Sequence, residues 1–259
     1  MQIGSTDGRE ENAADAWRFA ASAIREVGVI RTRGEVQFSK LPRFAASLYS
    51  RLTRTPSLEQ QYREIAALLS GQVNSGRLLD VGTGPGRLLL EVHRLKPDLQ
   101  LYGLDISEGM IDLARKNLVG VAADLRVANV CATGYESNFF DAVICTGSFY
   151  LWDRPERGLE EIHRILKPGH SAHLIEIHRD CDREAYKAAL NANLRREGLG
   201  MRLFGPLLLA KALRMGYVSD EVMEIAGRTS FAGGCRIEKL SLVGLPVWMH
   251  IQLSKGALI

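Results

Sequence analysis

The sequence predicts an α/β protein with a doubly wound, mostly parallel sheet of seven strands, N-terminal helices and a helical cap. Three observations predict this fold class. Short apolar runs alternate with helical patterns between residues 78 and 177, which is typical of parallel strands joined by helices. A glycine-rich turn connects the first of these strands to a helix. Two segments of alternating polarity, Arg236 to Val243 and Val247 to Lys255, predict an edge hairpin around Gly244-Leu245-Pro246.

The length and composition of the chain are typical of a soluble enzyme. The 259 residues suffice for one domain with additions, and the net charge of +3 is small for this length. Four scattered cysteines without C-x-x-C spacing predict reduced, mostly buried thiols. The sequence has no apolar run of eighteen residues and begins without an apolar leader segment. These features predict a cytoplasmic protein that does not enter a membrane.

The first seventy residues predict helices that precede the sheet. Helical spacing of apolar residues covers Asp15 to Val27 and Leu41 to Thr53. Ser57 and Gln60 then form the pattern of a capping box that opens a third helix. We therefore divide the chain into an N-terminal extension, residues 1–70, and a main domain, residues 71–259.

The glycine turn has the pattern D-x-G-x-G-x-G, from Asp80 through Gly82, Gly84 and Gly86. A dinucleotide fingerprint would need a glycine at Arg87, so that class of site is excluded. The pattern resembles motif I of the class I S-adenosylmethionine (SAM)-dependent methyltransferases. A plain glycine loop is the alternative interpretation.

Asp105 ends the second predicted strand, Leu99 to Leu104, and provides a second indication. A carboxylate in this position suits a ribose diol, because it can accept both hydroxyl hydrogens. The stretch Gly103-Leu104-Asp105-Ile106-Ser107 resembles motif II of the same family. The resemblance implies that Asp105 holds the ribose, with Ile106 and Met110 against the adenine. Ser107 is expected to cap the following helix.

The third and fourth strands continue the resemblance. The third runs from Asp124 to Val130, and Ala128-Asn129-Val130 stands where the family usually has Gly-Asp-Ala. Asn129 could still accept a hydrogen bond from the adenine through its carbonyl oxygen. The fourth strand, Ala142 to Cys145, lies in a stretch that begins Phe140-Asp141 and resembles the F-D-x-V strand of these enzymes.

The segment Arg164 to Gly169 resembles the family's R-x-L-K-P-G-G turn, with His170 in place of the last glycine. We predict a helix before it, Arg157 to Leu166, and a strand after it, Ala172 to Ile177, with Lys-Pro-Gly as the connector. The resemblance therefore runs from Leu78 to Ile177. It implies SAM as cofactor and S-adenosylhomocysteine as product. The residues expected to contact the cofactor are Asp80, Gly82, Thr83, Gly84, Gly86, Asp105, Ile106, Met110, Asn129, Val130 and Thr146.

Two residues are candidates for catalysis or acceptor contact. Tyr150 follows the fourth strand and could contact the acceptor, or could only pack beside Phe149 and Trp152. His178 follows the fifth strand and could take a proton from the nucleophile, or could only hold a loop. No metal site is predicted, because alternation along the strand separates His178 from the two other nearby histidines and no cysteine joins them.

Between the fifth strand and the last two, residues 184–226 predict three helices. This insertion is long for a connection and most resembles a helical cap over a substrate pocket. In methyltransferases, N-terminal additions also often form part of the substrate lid. Both segments could instead only cover hydrophobic core.

The predicted activity is transfer of the sulfonium methyl group to a small-molecule acceptor by in-line displacement. The methyl group is already activated, so positioning and desolvation can supply most of the catalysis. Thr146-Gly147-Ser148-Phe149-Tyr150 stands where an N-P-P-Y tetrapeptide would indicate amide or base nitrogen acceptors. A nucleic-acid partner is therefore disfavoured, and we expect a monomer or homodimer. The alternatives are an RNA methyltransferase and a non-catalytic SAM-binding regulatory module.

Overall fold

The computed structural model describes residues 54–73 and 75–257. The helices expected over Asp15 to Val27 and Leu41 to Thr53 lie outside these residues. In chain order the elements are α1 (Pro56–Ser70), β1 (Arg77–Val81), α2 (Arg87–Leu95), β2 (Gln100–Asp105), α3 (Glu108–Asn117), β3 (Ala123–Val127), β4 (Phe140–Thr146), a 3₁₀ turn (Phe149–Leu151), α4 (Pro155–Ile165), β5 (Leu166–Ile177), α5 (Arg183–Leu194), α6 (Leu199–Met215), α7 (Ser219–Gly227), β6 (Cys235–Leu242) and β7 (Leu245–Ser254).

The seven strands form one sheet in the order β3-β2-β1-β4-β5-β7-β6. The neighbouring pairs β3-β2, β2-β1, β1-β4 and β4-β5 are parallel. Strand β7 is antiparallel to both β5 and β6. The strand order reverses direction between β1 and β4, so the helices that follow these two strands lie on opposite faces. Ligands of such sheets bind in the crevice outside the carboxyl ends of the strands at this switch point. The predicted α/β fold with a seven-stranded, mostly parallel sheet is confirmed.

Hydrophobic side chains fill both faces of the sheet. One cluster joins β1, β4 and β5 to α4 and α7 and includes Leu79, Val143 and Leu174. The other joins the sheet to α1 and α2 and includes Ile65 and Leu89. The alternation of β-strand side chains explains how successive residues of one strand enter different clusters.

Two details of the predicted helices are wrong. The N-cap of α1 is Thr55 rather than Ser57, since Thr55 Oγ1 accepts a hydrogen bond from Leu58 N. Pro56 occupies the first helical position, where its missing N–H costs nothing. In α2, the helical spacing of Leu88, Leu89, Val92 and Leu95 predicts one buried face. The first three are buried, but Leu95 at the last position is exposed.

The fifth strand begins earlier than predicted. Lys167, Pro168 and Gly169 lie inside β5 and not in a connector, because Leu166 already pairs with Phe140. A register shift between Phe140 and Ala142 accommodates this irregular start. A bulge of this kind tolerates a proline, which has no N–H to donate to the ladder.

The edge hairpin is tighter than predicted. The turn consists of Val243 and Gly244, both with positive φ, while Leu245 and Pro246 already belong to β7. Positive φ at both central residues is the geometry of a type I′ turn, which matches the twist of the flanking strands.

The three helices predicted for residues 184–226 are present as α5, α6 and α7. Val222 and Ala226 of α7 are buried in the cluster shared with α4, so α7 covers the sheet. Tyr186 and Leu190 of α5 pack on the opposite face, beside β7. The connection therefore divides between the two faces of the sheet.

Only Cys145 of the four free cysteines is buried, so the expectation of mostly buried thiols is wrong. Within the described ranges, no helix is both long and apolar enough to cross a bilayer.

Candidate cofactor and acceptor site

The glycine turn after β1 is fixed to β2 by backbone hydrogen bonds. The N–H groups of Gly82 and Thr83 both donate to Leu104 O, at 2.8 and 2.9 Å. Gly82, Gly84 and Gly86 all have positive φ, a backbone conformation that residues other than glycine rarely adopt. A Cβ on Gly82 would lie 2.3 Å from Ser148 Oγ, whereas no atom lies within 4 Å of the Cβ position of Gly84. The close approach of Ser148 therefore requires glycine at position 82, whereas Gly84 faces open space.

Two carboxyl groups flank this turn. Asp80 is buried within β1, and burial raises its pKa to about 7, with hydrogen bonding to Thr83 opposing the shift and the charge of Asp105 adding to it. Asp105 accepts hydrogen bonds from Gly84 N through Oδ2 at 2.9 Å and from Ser107 N through Oδ1 at 2.8 Å. Burial raises the pKa of Asp105 as well, against these two bonds. Asp105 thus ties the tip of β2 to the glycine turn, a role that its position in the sequence did not indicate.

The residues expected at the adenine lie around the tips of β2 and β3. Ser107 caps α3 as predicted, its Oγ accepting from Met110 N. Met110 is buried, whereas Ile106 is exposed. Asn129 is exposed, and its Oδ1 accepts a hydrogen bond from Cys131 N at 2.8 Å. Val130 is buried in the core cluster shared with α4.

The end of β4 provides the other wall of the crevice. Thr146 Oγ1 is a buried oxygen without a hydrogen-bond partner among the described residues. Gly147, at φ 62°, donates to Ile175 O and begins the turn into the 3₁₀ segment. Phe149 is fully buried against Trp152, with ring centroids 5.0 Å apart, and Tyr150 is half-buried.

Glu176 organises this turn and was not among the predicted site residues. Its side chain is fully buried, and Oε1 accepts from Ser148 N at 3.0 Å and from Phe149 N at 2.9 Å. Burial raises the pKa of Glu176 to about 7, although these N–H donors oppose the shift. The signal in the sequence was an acidic residue inside the apolar run Leu174 to Ile177, where a charge is costly unless it is hydrogen-bonded.

His178 lies one residue beyond β5 and is also buried. Its Nδ1 lies 2.8 Å from Asp180 Oδ1, and its Nε2 has no hydrogen-bond partner in the described part of the chain. The two histidines nearest to it in the sequence do not join it. His173 contacts His250, and His170 is partly exposed near Asp141. Among residues 54–73 and 75–257 no group of side chains could hold a metal ion.

The sheet register brings most of the predicted residues to one crevice. Asp80 is paired with Gly103 on one side and with Ile144 on the other, and Thr146 is paired with Ile175. The carboxyl ends of β1, β2, β4 and β5 therefore meet at one edge of the sheet. Asp80, Asp105, Thr146 and Glu176 lie at this edge, while Val130 points into the core.

Comparison with known proteins identifies the domain that carries this crevice. The family model described as "Methyltransferase domain" matches residues 79–173. Residues 79–173, which contain the glycine turn, Asp105 and the end of β4, are therefore similar to a methyltransferase domain. The plantazolicin methyltransferase BpumL, solved in complex with S-adenosylhomocysteine, shares the fold with a TM-score of 0.63 at 15% identity, covering 92% of this chain and 99% of that chain.

Two curated relatives resemble the methyltransferase domain in sequence. A Bacillus subtilis protein, the uncharacterized methyltransferase YdaC, is 29% identical over 112 residues, which cover 43% of this chain and 62% of that protein. The ubiquinone/menaquinone biosynthesis C-methyltransferase UbiE of Desulfotalea psychrophila is 30% identical over 115 residues, or 44% of this chain and 47% of that protein. The match thus spans about half to three fifths of these relatives' lengths.

Proposed function

We propose that this protein is a SAM-dependent methyltransferase that acts on a small-molecule acceptor. The observation that carries the proposal is the junction of the glycine turn with Asp105. The carboxylate accepts from Gly84 N at 2.9 Å, and the space beyond the missing Cβ of Gly84 is open. A ligand can therefore approach the backbone of the turn beside an acidic group that suits a ribose.

The side chains present fit a SAM molecule in three respects. Each oxygen of Asp105 accepts one backbone hydrogen bond and retains a lone pair for a ribose hydroxyl. Thr146 Oγ1, buried and without a partner among the described residues, offers a donor and acceptor at the end of β4. Gly84 leaves room that any larger residue would fill.

The bound cofactor would supply an activated methyl group on a sulfonium sulfur. The protein's own contribution would be to position the acceptor and to exclude water, since in-line displacement needs alignment more than acid or base chemistry. The rigid turn from Gly147 to Leu151, held by Glu176, would form the acceptor side of the crevice. Tyr150 in this turn remains our candidate for an acceptor contact.

We further propose an unsaturated ring compound, such as a quinol, as the acceptor class. The support is the name of the UbiE relative and the half-buried aromatic side chain of Tyr150 in the turn. We also propose that the N-terminal extension and the helices α5 and α6 act as lid and cap. No observation in the described residues favours RNA or a purely regulatory role.

Calorimetric titration and a product assay test the proposal together. We expect SAM and S-adenosylhomocysteine to bind in the micromolar range and NADH to bind far more weakly. Incubation with SAM and a panel of hydroquinones, phenols, amines and thiols should release S-adenosylhomocysteine with at least one of them. Tighter binding of NADH than of SAM would refute the cofactor assignment. Binding without turnover of any acceptor would favour the regulatory module.

A further inference from the structure

We propose that His178 and Asp180 form a general-base pair that removes a proton from the methyl acceptor. The acceptor would then carry a weakly acidic hydroxyl, of the phenol or hydroquinone kind, and not an amine or a thioether. This inference rests on the proposed function and names the group that takes the proton a hydroxyl acceptor must lose.

Asp180 fixes the tautomer of His178. The carboxylate can only accept, so Nδ1, 2.8 Å from Asp180 Oδ1, carries the proton and donates it. Nε2 of the neutral ring is consequently left with a free lone pair. It is buried, and no described residue donates to it. A buried acceptor without a donor is costly unless a ligand or water supplies one.

Asp180 is held as an anion by its other partner. Lys239 Nζ on β6 lies 2.8 Å from Asp180 Oδ2. Partial burial alone would raise the pKa of Asp180, but the hydrogen bonds from Lys239 and His178 keep it below its usual range. The anion can therefore stabilise the imidazolium that forms when Nε2 accepts a proton.

The backbone around His178 is rigid. His178 N donates to Val247 O at 2.9 Å on one side, and His178 forms a parallel bridge with Tyr217 on the other. Arg179 N also donates to Tyr217 O. The ring is thus attached to a fixed extension of the sheet and not to a mobile loop.

His178 lies close to the turn that would form the acceptor side of the crevice. Alternation puts His178 on the same side of the strand as Glu176, about 6.6 Å further toward the carboxyl edge. Glu176 contacts the backbone of Ser148 and Phe149, so the next position on that side lies at the level of the crevice. The charged groups next to the pair are Lys239 on β6, which contacts Asp180, and Arg179, which pairs with Glu221 on α7. Glu176 is the titratable group two residues earlier on the strand.

The proposed step balances in charge and atoms. The acceptor O–H bond breaks and its proton passes to Nε2, which leaves an oxyanion conjugated with the ring. A bond then forms from that oxygen, or from a conjugated ring carbon, to the methyl carbon. The bond from methyl carbon to sulfur breaks with its electron pair remaining on sulfur. For transfer to carbon, the ring proton displaced by the methyl group is lost afterwards to solvent.

The first test needs no turnover. In the full-length protein labelled with ¹⁵N-histidine, NMR at pH 7.5 should show His178 protonated on Nδ1 and unprotonated on Nε2. Asp180→Asn should reduce that preference, because the amide can also present an N–H to the ring. A wild-type His178 that carries its proton on Nε2 would overturn the proposal whether or not any acceptor is found.

The second test uses a hydroxyl acceptor from the panel. His178→Gln should lower kcat/KM at pH 7 by about 100-fold or more and Asp180→Asn by about 10-fold, the range of general-base contributions. The defect of both variants should shrink toward pH 10, where the hydroxyl ionises without help. SAM affinity should change by less than about 3-fold. His170→Gln, a partly exposed histidine at the other end of β5, is the control and should leave the rate unchanged.

The two hypotheses fail in different ways. A wild-type protein that binds no SAM would refute the proposed function. The tautomer of His178 would then still test whether Asp180 orients the imidazole ring. Normal SAM binding with a constant, pH-independent defect in His178→Gln would assign the histidine a structural role. Turnover confined to amines or thioethers would contradict the acceptor class proposed for the pair.

Discussion

Asp105 shows how one side chain can serve both the fold and the site. Its sequence position indicated a ribose contact, but the structure adds hydrogen bonds to Gly84 N and Ser107 N. Those bonds depend on the distance between the second strand and the glycine turn, which no local pattern reveals. The type of residue was predictable at this position, and its second role was not.

We expect Asp105→Ala to weaken SAM binding by about 1.5–3 kcal/mol, the scale of losing a charged acceptor. Both the ribose contact and the support of Gly84 N would be lost. Titration calorimetry of the variant measures this change. Asp124→Ala on β3, whose carboxylate pairs with exposed Arg126, is the control and should bind SAM like the wild type. Equal affinities for wild type and Asp105→Ala would place the cofactor elsewhere.

Glu176 gives the stability a dependence on pH. Burial raises its pKa from 4.5 to about 7. Between these values the folded protein keeps a proton that the unfolded chain has released. The contribution of Glu176 to stability is therefore fully present below pH 4.5 and is lost as pH rises through 7.

Glu176→Gln should remove this dependence, because the amide stays neutral and its oxygen can still accept from Ser148 and Phe149. One pKa unit corresponds to about 1.4 kcal/mol. The difference in the free energy of unfolding between variant and wild type should therefore shift by roughly 3 kcal/mol in favour of the variant from pH 4.5 to pH 8. Urea unfolding at several pH values measures it. Glu136→Gln, at an exposed position, serves as the control. A difference that stays constant with pH would contradict the raised pKa.

At the scale of elements, the strands were more predictable than their ends. Apolar runs located β1 and β4 because both are buried on two faces. The start of β5 was missed because Lys-Pro-Gly is typical of a turn. Its place in the sheet depends on distant partners, namely the pairing of Leu166 with Phe140 and the hydrogen bond from Gly169 N to Lys255 O. The cap of α1 was misplaced by two residues because Thr55 and Ser57 are both good capping residues.

The hairpin between β6 and β7 contains a strained residue. Val243 has φ 50°, which is costly for a β-branched side chain, while Gly244 at φ 73° is not strained. Asparagine is tolerated in this region, and Asn-Gly is the preferred pair for a type I′ turn. Val243→Asn should therefore raise the free energy of unfolding by about 1 kcal/mol.

Thermal and urea denaturation of the variant measure this gain. Gly244→Ala is the matched control and should lower stability by a similar amount, since alanine pays for the positive φ that glycine adopts freely. Stability unchanged or reduced in Val243→Asn would mean that the packing of Val243 against the core outweighs its backbone strain.

At the scale of the whole molecule, the cofactor half and the acceptor half differ in how far sequence patterns determine them. Motifs at the tips of β1 and β2 predicted the cofactor side because glycine conformation and one carboxylate define it. The acceptor side depends on contacts between distant segments, such as Glu176 with the turn at Ser148. An acidic residue inside an apolar run marks Glu176 as unusual, but no local pattern shows that it contacts the turn at Ser148, so its role in holding that turn was not predicted.

The last prediction concerns the N-terminal extension. The chain enters α1 beside the helices α5 and α6, since Ser57 N donates to Glu197 Oε1 at 3.0 Å across the start of α1. The described chain therefore begins next to the proposed cap, and all seven strands of the sheet lie after this point. A variant that starts at Arg54 should keep the sheet, and its affinity for SAM should remain within about 3-fold of the full-length value. Turnover of the acceptor should fall by about 10-fold or more, because the acceptor would lose part of its enclosure. Circular dichroism, SAM titration and the product assay on the same preparation separate these effects. A truncated protein that turns over its acceptor at the full rate, with unchanged preference, would assign acceptor recognition to residues after Arg54, with α5 and α6 as the first segments to mutate.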